Sequence, residues 1–195
     1  MEYKVCKNGI FKSIQGEGFN SGKSTIFVRL AGCNMEPRCY FCDEKFDEYT
    51  VLNESEIKEE IERLMPCALI VITGGEPTMY PMDCLVKKLK QFNVMIGLET
   101  NGTNCIDADF DWITCSPKTE QIELNNVDEL KFVVDQEKDH MVKFIRTICK
   151  QIQSKHIFLQ PKSNEKKYID IALKIIEKNP NFQLSIQLHK ILEIK

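Results

Sequence analysis

The amino-acid sequence predicts an α/β fold, a partial and open TIM-like barrel of about six parallel strands. Short apolar runs rich in β-branched residues alternate along the chain with segments of helical period, which is the order of a βα repeat. The run at 67–72 is apolar throughout, as in a parallel strand that is covered on both faces. The runs are too few for the eight units of a full barrel. The predicted strands cover 25–30, 67–72, 94–99, 110–115, 130–134 and 157–160.

Helices are predicted between these strands. Asn53 with Glu56 three residues later is the pattern of a capping box, and Ile57, Ile61 and Leu64 then fall on one helical face. A proline favours the first turn of a helix, so Pro81 is expected to open the next one. Two later helices are expected from the apolar periodicity of 141–152 and 168–176.

Length and composition limit the classes of function. A chain of 195 residues suits a single domain spanning 1–195. Its 26 Lys and Arg are interleaved with 29 Asp and Glu, for a net charge of -3, which argues against a nucleic-acid partner and favours a small molecule. No apolar run approaches the roughly 18 residues of a membrane span, and the first residues do not have the pattern of a signal peptide. The nine cysteines lack the spacing of a disulfide framework, so a reduced, cytoplasmic protein is expected.

Three closely spaced cysteines are the most informative feature of the chain. Five residues separate Cys33 from Cys39, and two separate Cys39 from Cys42. Structural zinc is closed by four ligands, whereas an iron–sulfur cluster held by three cysteines keeps one iron open for another ligand. A zinc-binding structural or nucleic-acid module stays an alternative, but it needs a fourth ligand, and the three histidines all follow residue 139.

Polar motifs follow the predicted strands. Thr-Gly-Gly-Glu-Pro at 73–77, Glu-Thr-Asn-Gly at 99–102 and Ser-Pro-Lys at 116–118 each begin where an apolar run ends. The paired glycines allow a backbone to approach a ligand closely and to present its amides. Because the carboxyl ends of parallel strands share one rim, these motifs and the three cysteines are expected to meet there.

With these motifs the chain resembles the radical S-adenosylmethionine superfamily and, within it, the 7-carboxy-7-deazaguanine synthase family. The resemblance also includes Ser-Ile-Gln-Gly-Glu-Gly at 13–18, Phe-Val-Arg-Leu-Ala-Gly-Cys at 27–33 and Gln-Leu-His-Lys at 187–190. It runs in order from residue 13 to the C-terminus. Several motifs in the same order are strong evidence of a family resemblance, whereas any one of them alone is weak evidence.

The resemblance implies a fold, a reaction and cofactors. The fold would be a trimmed radical S-adenosylmethionine core. The reaction would convert 6-carboxy-5,6,7,8-tetrahydropterin to 7-carboxy-7-deazaguanine with loss of ammonia, after a 5'-deoxyadenosyl radical abstracts hydrogen from C6. The cofactors would be a [4Fe–4S] cluster, S-adenosylmethionine and Mg²⁺. A reductant such as a flavodoxin and assembly as a homodimer are implied as well.

The resemblance also assigns residues, each by its place in a motif. The cluster ligands would be Cys33, Cys39 and Cys42. The residues expected around S-adenosylmethionine are Phe41, Cys42, Asp43, Gly75, Ser116, Pro117, Lys118 and Gln160. The residues expected around the pterin are Ile14, Gln15, Gly16, Glu17, Arg29, Thr73 and His189. Arg29 suits the pterin carboxylate because a guanidinium binds such a group with two parallel hydrogen bonds.

Two positions depart from the family pattern. The first two cysteines are usually three residues apart, so the loop here is two residues longer, at modest entropic cost. The family has Thr after Cys-Asp, with its hydroxyl on Mg²⁺, whereas this chain has Glu44. A carboxylate is a good Mg²⁺ ligand, so Glu44 is a candidate to bind the ion in a shifted position or to admit a different metal.

Other interpretations of the same residues stay open. A radical activating enzyme that acts on a protein partner would share the cluster, although Gln15, Glu17 and the motif at 187–190 favour the small pterin. Arg29 is alternatively an internal ion-pair partner, and His189 a structural imidazole. Glu99 and Lys131 are alternatively a structural pair of charges.

Overall fold

The computed structural model describes residues 1–42, 44 and 46–194. The described residues form one nine-stranded sheet in the order β3-β1-β2-β4-β5-β6-β7-β8-β9. The seven strands from β2 to β9, leaving out β3, run parallel, and β1 and β3 extend the β2 edge in antiparallel fashion. The strands are β1 Glu2–Ile14, β2 Ser24–Leu30, β3 Tyr49–Asn53, β4 Leu69–Gly74, β5 Met95–Thr100, β6 Trp112–Cys115, β7 Asn126–Val134, β8 Gln153–Pro161 and β9 Phe182–Leu184.

All six predicted strands are present, within a few residues of the expected bounds, as β2 and β4 to β8. Strands β1, β3 and β9 were not predicted from the sequence. Strand β1 mixes buried and exposed residues irregularly, and its register with β2 shifts between Val5 and Ile10, so it has no clean period. Strand β3 is a largely exposed edge and β9 has only three residues, and neither makes a continuous apolar run.

The helices are α1 Glu54–Leu64, α2 Asp83–Leu89, α3 Lys138–Ile148, α4 Lys166–Ile176 and α5 Leu188–Leu192. The predicted capping box is confirmed: Asn53 accepts from the backbone N–H of Ser55 and Glu56 at 2.9 and 3.1 Å, and Glu56 accepts from Asn53 N at 2.7 Å. Helix α2 begins two residues after Pro81, and α3 ends before Ile152. The short α5 was not predicted. No helix among the described residues combines the length and apolar character that a membrane crossing requires.

The two faces of the parallel sheet differ in character. One face packs under α1 to α4 through apolar side chains such as Ile26, Ile70, Leu98 and Phe132. The residues that alternate with these point into the barrel, and they include the charged Arg29, Glu99, Glu129 and Lys131. The helix face therefore supplies the apolar core, while the inner face presents polar groups toward the carboxyl rim.

Candidate active site

The carboxyl ends of the parallel strands surround a cavity of about 250 Å³. Residues from the ends of β2, β4, β5, β6, β7 and β8 line it, as expected for ligand sites in parallel α/β folds. Of the residues predicted around S-adenosylmethionine, those that line this cavity are Phe41, Cys42, Gly75, Ser116, Lys118 and Gln160. Pro117 does not line this cavity; it lines a neighbouring groove, which shares Phe41 and Lys118 with the cavity. Asp43 lies outside the described residues.

A second cavity of about 190 Å³ adjoins the first one. All seven residues predicted around the pterin line it, namely Ile14, Gln15, Gly16, Glu17, Arg29, Thr73 and His189. The two cavities share a wall of six residues, Glu17, Arg29, Glu44, Thr73, Glu99 and Gln187. A ligand in one cavity would thus lie directly beside a ligand in the other.

The cysteine loop leaves β2 and borders the first cavity. Cys39 and Cys42 line the cavity, all three thiols are half-buried, and the Cys42 N–H donates to the Cys39 carbonyl at 3.0 Å. Among the described residues, no three His, Cys, Asp or Glu side chains converge as a group that could hold one metal ion. A cluster attaches its cysteines to separate iron atoms. Three reduced thiols spread over one loop beside a cavity are a donor set that fits a cluster.

The Gly-Gly-Glu motif has two structural functions. Gly75 packs so closely on the backbone of Gly32 that a side chain at 75 would collide with the Gly32 carbonyl. Glu76 is fully buried and accepts from Asn101 N at 2.6 Å and from the Thr100 hydroxyl at 2.7 Å. It also caps the short helical turn that starts at Pro77. Glu76 therefore ties the ends of β4 and β5 together and fixes the rim that Gly75 presents.

A buried cation organises the shared wall. Lys131 Nζ, on β7, lies 2.6 Å from Glu17 Oε2 and 3.6 Å from Glu99 Oε1. Burial alone would raise the pKa of Glu17, but Lys131 and a hydrogen bond from Gln187 lower it to about 2. Burial would lower the pKa of Lys131, yet Glu17 and Glu99 raise it above its usual range. Glu17 and Lys131 are therefore both charged at neutral pH. The interpretation of Glu99 and Lys131 as a structural pair omitted Glu17, which is the nearer partner.

Neutral donors complete this network. Glu99 accepts from the Thr73 hydroxyl at 2.9 Å and from Gln15 Nε2 at 3.2 Å. Gln187 donates its Nε2 to Glu17 at 2.9 Å, while its Oε1 is buried without a protein partner in the part of the chain that the structure describes. An unpaired buried acceptor is costly, and a ligand N–H in the adjoining cavities would satisfy it. Three predicted pterin residues and Gln187 thus belong to one connected set.

Arg29 forms an ion pair with Glu44 on this shared wall. This contact corresponds to the alternative that Arg29 is an internal ion-pair partner. A guanidinium has five N–H donors. The ion pair with the Glu44 carboxylate therefore leaves donors of Arg29 free for a second carboxylate. The same contact brings Glu44 to the boundary of both cavities.

Lys118 is a second cation of the first cavity, and its side chain is half-buried. Its Nζ donates to Ser116 Oγ at 2.6 Å and to the Ser116 carbonyl at 2.9 Å, and lies 6.0 Å from the centre of the Phe41 ring. Burial, and after it the charge of Lys131, lowers the pKa of Lys118. The predicted Ser-Pro-Lys motif thus positions an ammonium group beside the aromatic ring expected to contact adenine.

His189 packs against the turn at Gly16, where the Leu188 N–H donates to the Gly16 carbonyl at 2.9 Å. Of the other two histidines, His140 is exposed on α3. His156 on β8 is half-buried and packs against Phe19, with ring centroids 4.3 Å apart.

Several residues that line the first cavity were not predicted from the sequence as binding residues. They are Lys131, Phe46 and Lys162. Gln187 also lines the cavity, and it was predicted only as part of the motif at 187–190. A charged residue inside the otherwise apolar strand 130–134 was a usable signal for Lys131. Phe46 lies in a loop and Lys162 opens the short 3-10 helix Lys162–Asn164, and neither segment is long enough to carry a periodic pattern.

Comparison with known proteins gives the family. The model of the radical SAM superfamily matches residues 28–175. A 7-carboxy-7-deazaguanine synthase of Bacteroides thetaiotaomicron is 32% identical over 96% of this chain and 97% of its own length. The enzyme of the same name from Haemophilus influenzae is 33% identical over 95% of this chain and 92% of its own.

A solved structure agrees on the fold. The crystal structure of QueE from Escherichia coli superimposes with a TM-score of 0.78 at 23% identity, and the match covers 97% of this chain and 95% of that one. The trimmed, open barrel is thereby confirmed. The family match also decides against the zinc-binding module. The chain belongs to the radical S-adenosylmethionine superfamily and, within it, to the 7-carboxy-7-deazaguanine synthase family of lyases.

Proposed function

We propose that this enzyme converts 6-carboxy-5,6,7,8-tetrahydropterin to 7-carboxy-7-deazaguanine with loss of ammonia. The observation that carries the proposal is the pair of adjoining cavities: one is bordered by the cysteine loop, and the other is lined by all seven residues expected around the pterin. Hydrogen transfer between two ligands needs them in contact, and the shared wall supplies that arrangement.

The cysteine side would hold the cofactors that membership of this superfamily implies. Cys33, Cys39 and Cys42 would ligate a [4Fe–4S] cluster, with S-adenosylmethionine beside it in the first cavity. Together these groups supply a 5'-deoxyadenosyl radical, which would take hydrogen from C6 of the pterin.

The chain's own residues would orient S-adenosylmethionine. Gly75 presents backbone without a side chain at the rim, which suits the methionine end of the cofactor. Phe41 offers an aromatic face for adenine, and the hydroxyl of Ser116 and ammonium of Lys118 offer donors on the ribose and carboxylate side. Gln160 would add an amide to that wall.

The second cavity would recognise the pterin through hydrogen bonds. Arg29 would bind the carboxylate with the donors that Glu44 leaves free. Gln15, Gly16 and Thr73 would contact the ring system together with Ile14, and His189 would close the pocket. Glu17 is held as a carboxylate by Lys131 and would accept from ring N–H groups.

Glu44 would bind Mg²⁺ in place of the family's threonine. It is a hard oxygen donor on the boundary of both cavities. Glu44 would then serve both the ion and its ion pair with Arg29. In this arrangement the carboxylate of Glu44 would offset part of the positive charge of Arg29 and of the ion.

The electron would come from a reductant such as a flavodoxin, and the assembled enzyme would be a homodimer. The protein reductant is not needed to test the reaction, because a chemical reductant can replace it. The protein is reconstituted anaerobically with iron and sulfide and incubated with dithionite, S-adenosylmethionine and the carboxytetrahydropterin. Mass detection of 7-carboxy-7-deazaguanine supports the proposal. Cofactor cleavage with no deazaguanine, and with the pterin unconsumed, would refute the assigned substrate.

A further inference from the structure

Arg38 occupies an unusual position beside the cysteine ligands. It lies in the five-residue segment between Cys33 and Cys39, where the usual superfamily spacing is two residues shorter. Its side chain folds over the loop, and Nη2 lies 3.2 Å from the Sγ of Cys42, to which it donates. No carboxylate of the described residues lies within ion-pair distance of Arg38.

An aromatic ring fixes the orientation of this guanidinium. The Cζ of Arg38 lies 4.6 Å from the centre of the Phe46 ring, a separation at which cation and ring attract. Because the guanidinium is planar, this contact directs its N–H groups more narrowly than an ammonium group would be directed. The bond to sulfur is therefore a directed contact of this loop.

Arg38 itself does not line either of the two adjoining cavities. It lines a neighbouring groove together with Tyr40 and Lys143, while its two contacts, Phe46 and Cys42, line the first cavity. A change at Arg38 thus acts on the cysteine sulfur without removing a residue that lines either ligand cavity.

We propose that Arg38 raises the reduction potential of the iron–sulfur cluster through its hydrogen bond and charge on the sulfur of Cys42. This inference rests on the cluster of the proposed function. Reduction adds an electron whose charge spreads onto the cluster sulfurs, so a donor N–H and a nearby cation stabilise the reduced form more than the oxidised form. Arg38 is a tuning residue in this role, since it touches neither substrate nor reacting atoms.

Arg38 would act on the reduction potential through its charge and through its hydrogen bond, and solvent weakens these two effects to different degrees. The side chain of Arg38 is exposed, so water and salt screen its charge. The hydrogen bond to sulfur is short-ranged and is screened much less. A lysine at this position keeps the charge but lacks the directed, planar donor, and should recover only part of the effect.

The test is a redox titration followed by electron paramagnetic resonance on reconstituted protein, without S-adenosylmethionine. Arg38→Met removes the charge and the donor but keeps an unbranched side chain. Arg38→Lys keeps the charge. Lys143→Met is the matched control, because Lys143 is an exposed cation of the same groove that has no bond to a cysteine sulfur among the described contacts.

We expect Arg38→Met to lower the ratio of reduced to oxidised cluster about tenfold at the wild-type midpoint, which is 59 mV for a one-electron couple. Arg38→Lys should fall between Arg38→Met and wild type, and Lys143→Met should match wild type. An Arg38→Met midpoint equal to that of Lys143→Met would overturn the proposal. So would loss of iron from Arg38→Met alone, which would make the residue structural. Failure of the wild type to assemble any cluster would instead refute the proposed function.

Discussion

Lys131 and Glu17 form an ion pair with 2.6 Å between Nζ and Oε2, and Glu17 lies on the boundary that the two cavities share. The lysine side chain is 6% exposed, and Glu99 is its second partner at 3.6 Å. Removing one member of a buried pair leaves the other charge uncompensated. The electrostatics of the site therefore depend on Lys131.

Lys131→Met should destabilise the fold by about 3–5 kcal/mol at neutral pH. The pKa of Glu17 is lowered by folding to about 2. In the wild type, Glu17 therefore stabilises the fold fully above the pKa of an unfolded glutamate, and this stabilisation is lost as the pH falls from there to about 2. Without Lys131, burial would raise the pKa of Glu17 instead. The variant should then gain stability relative to wild type when the pH is lowered from about 8 to about 5.

Urea denaturation at the two pH values measures this difference. Lys155→Met is the control, because the exposed pair of Lys155 and Asp128 should be worth only about 0–1 kcal/mol. A destabilisation by Lys131→Met that is the same at both pH values would show that Glu17 does not depend on this cation.

Arg29→Lys tests the carboxylate contact. The change keeps the charge that faces Glu44 but removes the forked donor, at a cost of about 1.5–3 kcal/mol for the pterin. The KM for the pterin should rise roughly 10- to 100-fold, while cleavage of S-adenosylmethionine without pterin stays near the wild-type rate. If Arg29 is only an internal ion-pair partner, KM will stay constant and thermal stability alone will fall.

Glu44→Thr and Glu44→Ala test the metal assignment. A carboxylate ligand adds negative charge to the first shell of the ion and should tighten divalent binding relative to a threonine hydroxyl. The wild type should therefore need less Mg²⁺ for half-maximal product formation than Glu44→Thr, and Glu44→Ala should lose turnover but keep its iron. Superimposable Mg²⁺ titrations for the three proteins would remove Glu44 from the metal site.

The three cysteines of the loop should be separable from the others by cluster content. Replacing Cys33, Cys39 or Cys42 with Ala should abolish the thiolate-to-iron absorption of the reconstituted protein. Cys84→Ala and Cys149→Ala are matched controls, because both of these thiols are exposed and lie outside the loop. Iron and sulfide assays check the result. Equal cluster content in the loop variants and the controls would contradict the ligand assignment.

The parallel strands and the rim could be predicted because their signals are local. Continuous apolar runs mark β4 and β5, and the motifs begin where these strands end, so topology alone brings them together. Strand β1 was missed because an irregular register and a half-exposed pattern leave no period to detect.

The partners of the charged residues could not be predicted, because they depend on long-range contacts. Glu17 and Lys131 are 114 positions apart in the sequence, and Gln187 reaches Glu17 from 170 positions away. Arg29 was assigned to a ligand carboxylate, and its contact with Glu44 follows from the path of the cysteine loop. Motif order predicts which residues share a rim, whereas the pairing of charges depends on three-dimensional packing.

Isotope transfer between the two proposed ligands would show whether S-adenosylmethionine and the pterin react with each other in the adjoining cavities. The reconstituted enzyme is incubated with reductant, S-adenosylmethionine and carboxytetrahydropterin deuterated at C6, and the 5'-deoxyadenosine formed is analysed by mass spectrometry. If the adjoining cavities hold cofactor and pterin in contact, deuterium will appear in the 5'-deoxyadenosine and 7-carboxy-7-deazaguanine will accumulate with it. Unlabelled 5'-deoxyadenosine formed at the same rate with and without the pterin would contradict the account.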